Sequence, residues 1–193
     1  HMNRRSSKDS RQNIIDAAQR VFLLHGYEGS TMRMIAEQAG ISVGGIYLYF
    51  KNKEELCLLL IDERLKEFSE KIDAALKKIE DPIDALREYI LLSIEYAKKH
   101  NEFIITQSRE KGFTFGIDIK REFFKRQKEV IKGIIFKGIN KGIFVNCNIE
   151  EATRVIMGVI RGFVLSLVVD PDNLFDARQC SELILSGLLS RSN

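Results

Sequence analysis

Apolar residues recur every three or four positions along most of the chain, a spacing typical of amphipathic α-helices. The pattern predicts a first helix over Arg11–His25 that ends at Gly26, and a short second helix between Thr31 and Gly40. A very short third helix is predicted over 43–50. Two short helices joined by a tight turn that contains glycine are a candidate helix-turn-helix motif.

Longer amphipathic helices follow from Lys53 onward. The first of them is broken at Asp81-Pro82, and Pro82 suits the first turn of the next helix. The remaining helices are predicted over 82–99, 102–110, 119–142, 149–169 and 174–189. No strand or internal repeat is recognisable. The sequence therefore predicts an all-α protein of about nine helices, with a three-helix head over 9–53 and a larger helical body over 54–193.

The composition supports this class and excludes several others. With 45% hydrophobic and 30% charged residues, the 193-residue chain is neither a disordered charged tail nor a fibrous repeat. Its two prolines and 13 glycines are too few for the turns of an all-β sandwich. The cysteines, Cys57, Cys147 and Cys180, lie far apart and form neither a disulfide framework nor a zinc-binding spacing, as expected for a reducing cytoplasm.

Two further features concern location. Residues 1–20 contain no apolar segment of a signal peptide, so a cytoplasmic protein is expected. The longest apolar run, Val155–Val169, is short for a membrane span and carries Arg161 near its centre. The run is therefore predicted to be a buried helix.

The positive charge is concentrated at the N-terminus, because residues 1–53 carry a net charge of +4 and the remaining residues −1. This asymmetry favours a small module that meets a polyanion, joined to a nearly neutral body. Four basic residues precede or begin the first helix: Arg4, Arg5, Lys8 and Arg11. They could form an arm that contacts DNA, and a solvated tail is the alternative.

The segment 31–56 is the most informative stretch. Gly44 and Gly45 each cost a helix about 1 kcal/mol relative to alanine, so helix formation does not account for them. A missing side chain lets the backbone approach another surface closely. Phenolic hydroxyls and ammonium groups follow at Tyr47, Tyr49, Lys51 and Lys53. Such groups suit a phosphate backbone, so the third helix is predicted to lie in a groove of DNA.

These motifs resemble the TetR family of bacterial transcriptional regulators. The resemblance rests on a first helix that ends in Gly-Tyr, a Thr-capped second helix, and Tyr-x-Tyr-Phe-Lys-Asn-Lys-Glu-Glu-Leu over 47–56. The resemblance to the family is close over residues 11–56. It implies a homodimer that binds a palindromic operator through two heads, and a repressor is the leading hypothesis. No enzymatic activity or cofactor is expected, because the sequence contains no cluster of titratable residues typical of a catalytic site. The resemblance also implies a pocket for a small-molecule inducer in each body, and the apolar composition of the body suggests that this inducer is hydrophobic or amphipathic.

The resemblance assigns the DNA contacts residue by residue, to Thr31, Arg33, Ser42, Val43, Gly44, Gly45, Tyr47, Tyr49 and Lys53. An arginine can pair with guanine, and hydroxyl and ammonium groups can bind the DNA backbone. Met32 and Val43 occupy positions where the family often has polar side chains that read bases, and Tyr49 stands where histidine is frequent. Sparse base readout, and some reliance on DNA shape, are therefore expected.

The last two helices are candidates for a dimer interface, because similar proteins pair them with their copies as a four-helix bundle. Small residues recur every four positions on the eighth helix. The interface residues are Gly158, Gly162, Ser166, Leu183 and Gly187. Close packing within one subunit is the alternative for this stripe. A dimer would place two recognition helices about one DNA turn, or a multiple of it, apart.

Similar proteins wall the inducer pocket with their middle helices. The pocket candidates are Tyr89, Tyr96, Phe103, Gln107, Phe123 and Arg161. Aromatic residues at helical spacing also fit an apolar core, and Arg161 could pair with a carboxylate or lie in the dimer interface. Neither His25 nor His100 has a carboxylate or histidine four positions away in the sequence, and no phosphate-binding loop or nucleophile motif is found, so no metal site is expected.

Two other functions remain open from the sequence. One is a helical protein that binds lipid or acyl ligands as a carrier or enzyme. The other is an architectural DNA-binding protein without an inducer. The apolar composition of the body suggests an amphipathic or fatty-acyl ligand.

Overall fold

The computed structural model describes residues 7–189. Within that range the chain forms nine α-helices and no β-strand, apart from one isolated antiparallel bridge between Phe144 and Leu189. The helices are α1 Ser7–His25, α2 Met32–Ala39, α3 Val43–Ile46, α4 Lys53–Leu76, α5 Pro82–Lys99, α6 Asn101–Lys111, α7 Ile117–Asn140, α8 Ile149–Val169 and α9 Ala177–Leu188. The prediction of an all-α protein is confirmed.

The helices form two compact units. The head unit contains the residues up to Arg64 together with Glu102–Ile117, and the body unit contains Leu65–Asn101 and the residues from Asp118 onward. Helix α4 therefore contributes to both units. Helix α6 belongs to the head unit although its neighbours in sequence, α5 and α7, belong to the body. The helical periodicity of the sequence contains no sign of this grouping.

The third helix is shorter than predicted. It ends at Ile46 rather than at Phe50, because the amides of Leu48 and Tyr49 bond three residues back, as in tighter turns. Leu48 N donates to Gly45 O at 3.3 Å, and Tyr49 N donates to Ile46 O at 3.0 Å. The prediction of a helix over 43–50 is therefore wrong in its second half.

Side-chain caps set the start of the two helices of the motif. The Thr31 hydroxyl oxygen accepts from Met34 N at 3.2 Å, and the Ser42 hydroxyl oxygen accepts from Gly45 N at 3.0 Å. Each bond satisfies an amide that has no partner inside its helix. The head core lies beneath these helices, and its buried side chains include Ile14, Ile35, Ile46, Phe50 and Leu56.

Helix α8 is long and apolar enough to cross a membrane by length and composition, with a mean hydropathy of 1.8, and only 28% of that apolar window is buried. One face, which includes Ile156 and Phe163, is buried, whereas Val155 and Leu165 are exposed. The prediction of a buried helix is therefore right for one face and wrong for the other. The exposed apolar face is large for a surface helix in water.

Candidate nucleic-acid interface and ligand-responsive body

The outer face of α3 and the turn after it is unusually apolar for a solvent-facing surface. The exposed fractions are 42% for Val43, 51% for Tyr47 and 85% for Leu48. Ile46 and Phe50, on the inner side, are buried and hold this segment on the head core. Leu48 is not among the residues predicted from the sequence to contact DNA. Its position between Tyr47 and Tyr49, both predicted contacts, is a sequence feature that would have included it.

Gly44 has no role that the head itself explains. Its φ is not positive, so its backbone conformation is open to any residue. A Cβ added to Gly44 would meet no atom within 4 Å, so internal packing does not exclude a side chain either. A Cβ on Gly45 would lie 3.0 Å from the Ser42 hydroxyl oxygen. The glycine at 44 leaves this exposed backbone open to close approach by an external surface.

The two candidates on α2 face solvent. Thr31 is exposed, with its hydroxyl at the cap of α2. Arg33 Nε donates to Glu37 Oε1 at 3.0 Å, and the two side chains are 78% and 63% exposed. An exposed ion pair of this kind contributes at most about 1 kcal/mol, so a phosphate or a base can replace Glu37 as the partner of Arg33.

Lys53 and Tyr49 are less accessible than predicted. Lys53 Nζ donates to Tyr27 O at 2.7 Å and to Ser30 O at 3.1 Å, and it lies 4.4 Å from the centroid of the Tyr27 ring. Tyr49 is half-buried and packs against the head core. Six of the nine DNA candidates are exposed, while Gly45, Tyr49 and Lys53 are half-buried. Lys53 therefore holds the head together in this structure, and its phosphate contact stays a prediction.

The basic N-terminal residues divide into two groups. Arg4 and Arg5 lie outside the described residues. Lys8 and Arg11 are exposed on α1, and the Arg11 guanidinium carbon lies 5.1 Å from the centroid of the Phe50 ring. A cation over an aromatic face gives Arg11 a contact within the head.

The six pocket candidates are divided between the two units. Phe103 and Gln107 belong to α6 in the head unit, and Tyr89, Tyr96, Phe123 and Arg161 belong to the body unit. The two head residues line a small cleft together with Phe22, Leu23, Tyr27, Cys57 and Thr106. The structure therefore does not bring the six candidates together in one unit.

The body unit contains a buried polar network that joins three helices. The Tyr89 hydroxyl on α5 donates to Gln127 Oε1 on α7 at 3.1 Å, and Gln127 Nε2 donates to the Ser69 hydroxyl on α4 at 3.1 Å. The Ser69 hydroxyl donates in turn to Leu65 O at 3.0 Å. Burial raises the pKa of Tyr89 above its ordinary value, so its hydroxyl stays protonated and remains a donor. No sequence motif singles out Gln127.

The other body candidates are linked by aromatic contacts. The ring centroid of Phe68 lies 5.1 Å from that of Tyr96 and 5.8 Å from that of Phe123. Phe123 is 5.2 Å from Phe124, and the exposed Arg161 guanidinium lies 4.2 Å from the Phe124 ring centroid. A cation thus lies at the surface end of a row of aromatic side chains.

Most of the small-residue stripe on α8 and α9 is exposed in the part of the chain that the structure describes. Gly158, Gly162 and Gly187 are exposed, and a Cβ added to any of them would meet no atom within 4 Å. Leu183 is 76% exposed, whereas Ser166 is half-buried. The neighbouring apolar residues are also exposed: Val155 by 61%, Leu165 by 45% and Val169 by 64%.

These features define the chain as a helix-turn-helix DNA-binding protein, and comparison with known proteins gives the same class. The model of the tetR family of bacterial regulatory proteins matches residues 14–60. The chain is 32% identical over 180 residues to the fatty acid metabolism regulator protein of Bacillus subtilis (strain 168), with 92% of each chain covered. The chain therefore belongs to the TetR family, and it is a DNA-binding transcriptional regulator.

Two solved structures match this chain over 93% and 95% of its length. The transcriptional regulator FadR from Bacillus subtilis in complex with stearoyl-CoA matches with a TM-score of 0.70 and 28% identity, covering 93% of this chain and 97% of that chain. A TetR regulator from Haloarcula marismortui matches with a TM-score of 0.81 and 23% identity, covering 95% and 100%. The second match shows the fold alone. Both of these proteins are transcriptional regulators.

Proposed function

We propose that the protein is a homodimeric cytoplasmic repressor that leaves its operator when its body binds a long-chain fatty acyl-CoA or a similar amphipathic acyl ligand. The observation that carries the proposal is the 32% identity to a fatty acid metabolism regulator over 92% of both chains. That likeness extends across the body and not only across the DNA-binding head. The 28% identical structure that contains stearoyl-CoA supports the same ligand class.

The DNA contacts follow from the exposed face of the head. Thr31, Tyr47 and the exposed backbone at Gly44 offer a hydroxyl, a phenol and a close backbone approach on one motif. Arg33 adds a guanidinium whose present partner is a weak surface ion pair. Val43 and Leu48 offer apolar surface that suits thymine methyl groups and sugars. This set favours backbone contacts and DNA shape over many base-specific hydrogen bonds.

A second copy of the chain is the partner that the exposed face of α8 and α9 fits. Glycines without neighbours allow close approach of another helix, and the exposed leucines and valines beside them would be buried by it. Close packing within one subunit is the alternative, and the observation that favours a second copy is that a Cβ added to any of the three glycines would meet no atom from elsewhere in the described chain within 4 Å. Two heads per dimer would match a palindromic operator.

The body offers an amphipathic ligand both kinds of contact. The aromatic row from Phe68 to Phe124 suits an acyl chain, and Arg161 at its surface end suits an anionic group. The buried hydroxyl of Tyr89 and the amide of Gln127 supply polar groups within the apolar interior. The ligand would compete with these internal contacts, which gives it different affinities for two states of the body.

The experiment starts with a selection of genomic fragments from the encoding organism, followed by fluorescence anisotropy on the selected duplex. Stearoyl-CoA, stearate and free CoA are then titrated below their micelle concentrations. We expect only stearoyl-CoA to release the DNA, with an unrelated helix-turn-helix protein as the control for detergent effects. An Arg161→Ala variant should bind the operator normally and need more ligand for release.

Other outcomes would identify the alternatives. Failure to select any fragment would refute the repressor and favour a carrier of acyl ligands, which direct binding of stearoyl-CoA would then reveal. Operator binding that no acyl compound affects would refute the proposed ligand. Binding without any sequence preference would favour an architectural protein.

A further inference from the structure

The turn that joins α1 to α2 is held by charged side chains from α4 and α6. The backbone amides of Tyr27 and Glu28 both donate to Glu110 Oε2 on α6, the second of them at 3.0 Å. On the other side, Lys53 Nζ donates to the carbonyl oxygens of Tyr27 and Ser30. A carboxylate and an ammonium group thus bind the donors and acceptors of one short backbone segment.

Gly26 makes room for this carboxylate. Its φ is +71°, in the left-handed region that favours glycine, and a Cβ at this position would overlap Oε1 of Glu110. The Tyr27 ring lies near two cations, with Lys53 Nζ at 4.4 Å and Lys111 Nζ at 4.6 Å from its centroid. Residues on α4 and α6 therefore determine both the path of this turn and the orientation of its aromatic side chain.

The turn leads directly into the proposed DNA contact. The Ser30 hydroxyl shares its one proton between Gly26 O and Val21 O, which closes the turn just before Thr31. Thr31 is the cap of α2 and presents an exposed hydroxyl. Hydrogen bonds from backbone amides to an ionised carboxylate are about twice as strong as those between neutral groups, so Glu110 is a strong restraint on where α2 begins.

We propose that Glu110 is a positioning residue for operator binding, because its carboxylate fixes the turn over 26–30 and thereby the place of Thr31 on the DNA backbone. The inference rests on the proposed DNA contact of Thr31. The expected effect of removing Glu110 on DNA affinity is opposite to the effect that simple electrostatics predicts. Removing a negative charge from a DNA-binding protein ordinarily strengthens binding, whereas loss of Glu110 should weaken it.

The test compares Glu110→Ala with Glu102→Ala in the full-length protein on the selected operator. Glu102 is an exposed carboxylate on the same helix, so both variants change the net charge equally. We expect Glu102→Ala to bind as tightly as the wild type or slightly more tightly, and Glu110→Ala to bind about tenfold more weakly. Glu110→Gln keeps one acceptor oxygen and should recover part of the loss.

A double-mutant cycle separates positioning from general destabilisation. If Glu110 acts through Thr31, the combination of Glu110→Ala with Thr31→Val should weaken binding no more than the larger single change. Combination with Tyr47→Phe should be additive. A purely structural role would instead give additive losses of operator affinity in both cycles, which would overturn the proposal.

The outcomes also separate this inference from the proposed function. A wild-type protein that selects no operator would refute the proposed function. A wild-type protein that binds, with Glu110→Ala and Glu102→Ala equal in affinity, would refute only the role of Glu110. If Glu110→Ala does not fold, the operator affinities of Glu110→Gln and Glu102→Gln can be compared instead, because these two variants also change the net charge equally.

Discussion

Gly44→Ala should stabilise the head and weaken operator binding at the same time. The backbone at Gly44 is open to alanine, and the added Cβ would meet no atom of the protein within 4 Å. Alanine loses less conformational freedom on folding than glycine, so the unfolding free energy should rise by about 0.5–1 kcal/mol. For a chain of this size that is about 1–4 °C in Tm.

The expected loss of operator affinity follows from the same absence of protein atoms around the Gly44 Cβ position. If DNA occupies this space, the methyl group moves the third helix away from the duplex. We estimate a loss of about one net hydrogen bond per head, or about 1 kcal/mol. A dimer carries two such heads, so the operator affinity should fall by about thirtyfold. Anisotropy titrations at constant salt measure this, with melting followed by circular dichroism on the same samples.

Gly133→Ala is the matched control. Gly133 is exposed on α7, and a Cβ there also meets no atom within 4 Å. It should give the same gain in stability with unchanged operator affinity. A Gly44→Ala protein that binds the operator as tightly as the wild type would show that DNA does not approach this backbone, and the proposed geometry of the third helix would be wrong.

Three further predictions concern the body. Gly138→Ala should lower the free energy of unfolding, measured in urea, by about 2 kcal/mol, because the added Cβ would overlap the buried Phe144 ring. This loss should outweigh the better helix propensity of alanine. Equal stabilisation by alanine at 138 and at 133 would contradict this packing. Leu183→Glu should yield a folded monomer in sedimentation equilibrium, whereas Leu24→Glu, at a similarly exposed leucine of the head, should remain dimeric. Hydrogen bonds from Lys128 and then Lys132 lower the pKa of Glu150 from 4.5 to about 2. This stabilising contribution is present above pH 4.5 and is lost as the pH falls towards 2, so Glu150→Gln should reduce the loss of stability across that interval; an unchanged pH profile would exclude the pairing.

Features that depend on neighbouring residues in sequence were predictable. The cap of α2 at Thr31, the start of α5 at Pro82 and the start of α8 after Asn148 all appear where the local chemistry placed them. The end of α3 was not predicted, because periodicity alone does not distinguish a helix from the tighter turns that follow a glycine pair.

Features that depend on distant residues were not predictable. Glu110 reaches an amide 83 positions earlier in the chain, and nothing in the sequence around it differs from an ordinary solvated carboxylate. Lys53 was assigned to phosphate from its position in a motif, yet its ammonium group bonds two carbonyl oxygens of the head. Gln127 completes a buried network whose other members lie on α4 and α5. In each case the direction of the side chain depends on packing between helices.

The place of α6 in the chain limits how such regulators can be recombined. A chimaera that joins the first 64 residues of this protein to the sensory portion of a relative would replace α6 as well, and with it the carboxylate at position 110. The relative's α6 would have to provide a carboxylate that accepts from the two backbone amides after Gly26. Without it, the transferred DNA-binding head should bind its operator more weakly. An exchange at a single crossover point therefore transfers α2 and α3 without the side chain on α6 that fixes the turn before them.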